Sequence, residues 1–231
     1  MRIAAEIGAA RVELATALAL GGLTPSLGTV ELALAAAADG PEVHVLIRPR
    51  AGDFHYDADE LAVAERDVRH AIAAGAAGVV IGVLDADGRL DRDAVARLRD
   101  AAGGAPVTLH RAIDVTADPV ATLRTARELG LRRVLTSGGA SAAIDGIDTL
   151  RALVAAAEGA IEVMAGSGVD VASAPVLAET GIDALHFSAK RTVVAEGGVR
   201  MGSASDGVGG YEVTDRDIAV AIRDALAGRD R

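Results

Sequence analysis

The chain has 231 residues, 51% of them hydrophobic and 24% charged, with no Cys, no Trp and a formal net charge of −10. That hydrophobic share lies outside the range of disordered chains, and a chain of this length buries enough apolar surface to fold without a staple. The absence of Cys excludes disulfides, thiol catalysis and Cys-zinc sites, and an acidic balance with no Lys/Arg run argues against a nucleic-acid partner.

In chain order, a short helical stretch at 3–7 comes first, where Glu6, Arg11 and Glu13 interrupt any signal-peptide core. Strands are predicted at 11–15, 43–48, 78–84, 107–110, 133–136, 161–165 and 184–188, each short, rich in Val, Ile and Leu, and bounded by Gly, Pro or Asp. Amphipathic helices lie between them, with Leu61, Val68 and Ile72 forming one apolar stripe and Val95, Leu98 and Ala102 another. Asp91, Asp118 ahead of Pro119, and Thr214 with Asp217 read as helix starts; Gly75, Gly130 and Gly181 read as stops. The longest apolar run, 71–84, falls short of the about 20 residues needed to span a bilayer. A soluble, cytoplasmic protein with no membrane partner is expected, and a homo-oligomer.

Alternating strand and helix units make a parallel sheet. No Gly-rich dinucleotide turn follows the first strand, so a TIM-like (β/α) barrel is favoured over an open doubly wound sheet. Only seven strands are found, so the first strand of that α/β barrel is missing from this chain. One domain, 1–231, is expected. Residues 189–213, with Gly197, Gly198, Gly202, Gly207, Gly209 and Gly210, read as a flexible loop over the mouth.

Alternation along the strands turns Glu13, His44, Leu46, Arg48, Thr108, His110, His186 and Ser188 toward the barrel axis. Glu13, Arg48, His110 and His186 then converge at the C-terminal strand ends, where barrel enzymes gather their chemistry, with Arg50, Asp53, Arg111 and Asp114 in adjoining loops. His44 lies deeper and reads as core. Four polar groups on one rim exceed what packing requires, though an ion-pair network is the competing structural reading. In the catalytic reading Arg48, Arg50 and Arg111 hold an anion, His110 or His186 moves a proton, and Glu13 or Asp114 orients it. The turns at Ser137-Gly138 and Gly166-Ser167-Gly168 would add backbone donors to an anion. Asp85–Asp91 is explained by an Asp-Gly turn and a helix cap without calcium, Lys190 by solvation, and Ser167 sits in no nucleophile elbow.

Several motifs closely resemble the CutC family: Gly21-Gly22-Leu23-Thr24-Pro25-Ser26, Ile47-Arg48-Pro49-Arg50 with Gly52-Asp53-Phe54 and Tyr56, Thr108-Leu109-His110-Arg111-Ala112-Ile113-Asp114, Leu135-Thr136-Ser137-Gly138, Met164-Ala165-Gly166 with Gly168-Val169, and His186 with Ser188-Ala189. The resemblance implies a TIM-barrel-like fold and a part in copper homeostasis, with no defined molecular activity. It also implies copper as the cofactor to consider. Members of the family begin with an extra strand, commonly containing Cys, and often carry Cys where this chain has Ala15. Cu(I) prefers thiolate and thioether ligands, and here only Met1, Met164 and Met201 supply sulfur, so no dedicated metal residues are assigned. The alternative is a barrel enzyme acting on a small anionic or phosphorylated metabolite. A metal carrier built from His110, His186 and Met164 is opposed by the rim arginines, which repel a cation.

Overall fold

The computed structural model describes residues 1–38, 40–194 and 210–227. Seven strands form one all-parallel sheet in chain order: β1 (Arg11–Leu14), β2 (Glu42–Leu46), β3 (Gly78–Ile81), β4 (Val107–Leu109), β5 (Arg133–Thr136), β6 (Glu162–Gly166) and β7 (Ala184–His186). The crossovers carry α2 (Leu27–Ala35), α3 (Ala58–Ala73), α4 (Arg92–Ala101), α5 (Pro119–Glu128), α6 (Ile147–Ala157) and α7 (Ser173–Ala178). Before the sheet lies α1 (Arg2–Glu6), and after it α8 (Arg216–Ala227).

The core sits outside the sheet, beneath the helices. Val43, Val45, Ile47, Val79, Ile81, Val107, Leu109, Val134 and Val163 pack against Val68, Val95, Leu98 and Leu123 in one fully buried cluster. Each such side chain contributes about 1.5–3 kcal/mol, which is why these strands stay paired although the sheet never closes. The sheet curls as an incomplete barrel with β1 and β7 as its edges. The curl brings those edges within side-chain reach: Nδ1 of His186 on β7 is 3.9 Å from Oε2 of Glu13 on β1. Arg216 at the start of α8 pairs with Glu6 of α1 on the same side of the fold.

Asp91 and Asp118 cap α4 and α5 as expected, accepting from the backbone N–H of Ala94 and Ala121. The start of α8 differs. Thr214 is still paired in a strand, and the cap is Asp215, whose carboxylate accepts from the N–H groups of Asp217 and Ile218. The segment 189–213 also departs from a plain loop. Its ends pair as an antiparallel ribbon, β8 (Lys190–Val194) with β9 (Gly210–Thr214), because Thr192, Val193, Tyr211 and Val213 favour strand geometry. Residues 195–209 lie outside the described residues.

Two inward histidines are seated over glycines of the neighbouring strand. A Cβ at Gly78 would stand 2.6 Å from the His44 ring, and one at Gly82 would overlap the His110 ring. Gly82→Ala is therefore expected to destabilise the fold by about 1–3 kcal/mol in chemical denaturation. An unchanged midpoint would show that the His110 ring is free to move aside.

Candidate functional site

The curl encloses a cavity of about 1590 Å³ that runs the length of the sheet interior. All eight residues turned inward by strand alternation, Glu13, His44, Leu46, Arg48, Thr108, His110, His186 and Ser188, line it.

At the N-terminal end of the strands the cavity floor is a closed ionic layer. Arg133, 3% exposed, pairs with Glu162 and donates to Thr108 Oγ1 at 3.3 Å, though its Nε–H is buried without a partner, while Arg11 approaches Glu162 at 4.0 Å. Burial works to raise the Glu162 pKa, but Arg133, Arg132 and Arg11 outweigh it and hold the carboxyl low. His44 reaches Glu42 at 3.4 Å, and burial lowers its pKa, so it is a partnered core residue.

The mouth is different. Arg48 is 7% exposed, and its guanidinium donates to three backbone carbonyls: Leu20 and Gly22 at 2.9 Å and Gly52 at 2.8 Å. It stands 5.4 Å over the Phe54 ring, and it pairs with no carboxylate among the described residues. Its Nε–H is buried without a hydrogen bond, as is the hydroxyl of Tyr56, which lies close enough to feel the Arg48 charge. His110, 5% exposed, accepts the Ala112 N–H at Nδ1, which assigns the ring proton to Nε2. Burial, then the Arg48 charge, pushes its pKa down to about 3, so the ring is neutral and its Nε2–H is a donor with no partner. Phe54 lies against this ring, the centroids 4.8 Å apart. Deeper than Arg48, in register with His44 and across the seam of the sheet from His186, Glu13 also has a buried oxygen, Oε2, without a hydrogen bond, and burial raises its pKa. Each unmatched buried polar atom costs about 1–3 kcal/mol, and native proteins keep few of them.

The other sequence-predicted residues fall into two groups. Arg111 lines the cavity, but it is bound to Asp114 at 2.8 Å and Ser137 Oγ at 2.8 Å. Asp114 is an internal staple. Its side chain is 4% exposed and accepts from Thr136 Oγ1, Ser137 N, Ser137 Oγ and Gly139 N. With Gly138 N bound to Thr136 Oγ1, the Ser137 and Gly138 donors are occupied within the turn. Gly166 packs beneath Leu135 and His186, while Ser167 at φ 89° and Gly168 at φ 65° turn along the cavity edge. Arg50 is not at the mouth. Glu60 at 2.5 Å and Asp53 at 2.9 Å hold it over the Tyr56 ring, outside the cavity lining, so the expected Arg48–Arg50 clamp does not form. Glu60 is the third residue of α3 and also caps that helix, a placement that alternation cannot reveal.

Phe54 and Gly82 were not legible as site residues, yet one supports both Arg48 and His110 and the other makes room for the imidazole. The signal available was spacing: Gly78 and Gly82 lie four apart, on the inward face beside the two inward histidines.

The donor set does not fit copper. Among the described residues no cluster of three His, Asp or Glu able to hold a metal exists and the cavity offers sulfur only at Met1 and Met164; Met201 lies outside those residues. The Arg48 guanidinium beside His110 repels any cation there.

The CutC family model matches residues 1–191. The chain belongs to the CutC family. A CutC family protein of Xanthomonas campestris pv. campestris is 46% identical over 209 residues, covering 90% of this chain and 86% of the relative. One from Sinorhizobium medicae is 51% identical over 162 residues, 70% of this chain and 65% of the relative. Among solved structures, CutC of Streptococcus agalactiae matches at a TM-score of 0.74 with 34% identity, over 77% of this chain and 87% of that one. A 3-hexulose-6-phosphate synthase, 22% identical with a TM-score of 0.55 over 97% of this chain and 94% of that one, shares the fold alone. No helix among the described residues of this CutC-family chain is long and apolar enough to cross a membrane.

Because the folded pKa of Glu13 is raised, its favourable contribution is present at acid pH and lost as pH rises through that folded value. Glu13→Gln should therefore match wild type in melting temperature near pH 4.5 and exceed it increasingly toward pH 7. A constant difference across that range would mean that Glu13 ionises as freely folded as unfolded.

Proposed function

We propose that this CutC-family chain holds a small anionic metabolite at the mouth of its open barrel, and that copper is not its resident ligand. The observation that carries this reading is Arg48, a buried cation bonded to three carbonyls and, among the described residues, to no carboxylate. Burying an unneutralised ion costs several kcal/mol even after relaxation, and an anion is the partner that recovers it. The unpartnered Nε–H of Arg48 and Nε2–H of His110 are the donors left to such a ligand. Membership of the CutC family assigns the chain to copper homeostasis, the role in the name of the S. agalactiae relative, and the anion reading concerns only which molecule the mouth holds. The β8–β9 ribbon as a cover for the mouth belongs to the same proposal, supported by Lys190 and Thr214 in the cavity wall. So do a cytoplasmic setting and a homo-oligomer, both expectations from the sequence.

Sulfate or phosphate should raise the melting temperature at constant ionic strength, by about 2–4 °C for each kcal/mol of binding free energy. Arg48→Met should remove the increment, and Arg97→Ala, an exposed ion-paired control on α4, should keep it. Equal stabilisation by matched chloride would contradict the reading. In a competition assay Cu(I) should bind no more tightly than it does to isolated His and Met side chains; a stoichiometric femtomolar-class site would overturn the exclusion of copper.

A further inference from the structure

Resting on that anion site, we propose that the ligand is an enolisable metabolite, a small phosphate or carboxylate bearing an adjacent carbonyl, and that Glu13 moves a proton on it. Four residues that line the cavity carry a buried polar atom without a partner: Arg133 Nε in the floor, and, from three other parts of the sheet, Arg48 Nε beyond β2, His110 Nε2 beyond β4 and Glu13 Oε2 on β1. Of the last three, two are donors and one is a carboxyl oxygen. Binding an inert anion calls for the donors; it leaves the carboxyl unexplained, because a carboxylate in an anion site repels its ligand. A group that accepts and returns a proton explains all three.

The surroundings suit that role. Leu46, Val80 and Leu135 line the cavity alongside Glu13 and keep its wall apolar, and burial raises the basicity of the carboxyl. His186, at 3.9 Å, is the ionisable neighbour of Oε2 among the described residues and acts as a positioning residue. His110 is neutral, and a neutral imidazole N–H is well matched to an enolate oxygen. In the step, the Glu13 carboxylate takes the proton from the carbon beside the carbonyl. The C–H electron pair becomes the C=C bond, and the carbonyl π pair moves onto oxygen, which accepts the His110 Nε2–H bond. The electron pair on oxygen then re-forms the C=O bond as the Glu13 carboxylic acid returns a proton to the same carbon, giving exchange with solvent and no net change, with no co-reactant. A Schiff base is not the electron sink, because the sole lysine, Lys190, is paired with Glu212 at 2.6 Å.

The test is loss of C–H signal by proton NMR in deuterated water, with pyruvate and with dihydroxyacetone phosphate as probes and the full chain as catalyst. Exchange on at least one probe should run ten-fold or more above buffer. Glu13→Gln should return it to the buffer rate while keeping the sulfate increment in melting temperature, Glu13→Asp should restore part of it, and His186→Gln should shift its pH profile. No exchange on either probe, with the sulfate increment intact, would overturn proton transfer and leave a binding site. Exchange undiminished in Glu13→Gln would overturn the role of Glu13. Loss of the sulfate increment in the wild-type protein would break the anion site beneath both.

Discussion

A guanidinium buried without a counter-ion among the described residues is the constraint on which the mouth of this barrel depends. Arg48 ties the loop after β1, through Leu20 and Gly22, to the loop after β2, through Gly52. Its plane rests over Phe54, and the same ring supports His110. Burial, reinforced by that charge, keeps His110 neutral. At about 4 Å in an effective dielectric near 20, two like charges repel by about 4 kcal/mol, enough to forbid a second cation beside the first. One residue thus organises two loops, helps to set the protonation of a third group and selects the sign of any ligand.

The rest of the fold separates two environments. Outward residues of β2 to β6 enter an apolar layer under the helices, and inward residues line a cavity with an ion-paired floor and, above it, unmatched donors at the mouth. The floor is paired, Arg133 with Glu162, and reads as stability; the C-terminal ends hold the donors, as parallel barrels place their chemistry. An incomplete barrel can keep this arrangement because β1 and β7 approach across the opening at Glu13 and His186, and α1 and α8 are linked by Glu6 and Arg216.

Much of this was legible from two-residue periodicity. Val43, Val45 and Ile47 against His44, Leu46 and Arg48 sorts β2 correctly, and the same rule places Glu13, His110 and His186 in the cavity. What periodicity cannot see is competition between partners. Arg50 carries the same charge as Arg48 two residues away, but Glu60 from α3 and Asp53 capture it. Ser137 and Gly138 have the composition of an anion-binding turn, yet Asp114, distant in sequence, consumes the donors of that turn. Thr214 looks like a helix cap but is held in β9, so Asp215 does the capping. Local residue type predicts which groups are available; long-range contacts decide which are already spent.

The central claim concerns where an anion sits. A crystal structure of the protein grown with tungstate, located by its anomalous signal, tests it directly. The account predicts a peak inside the open barrel, within hydrogen-bond distance of Arg48 Nε and His110 Nε2. Peaks confined to exposed arginines, with an empty mouth at saturating tungstate, would contradict it.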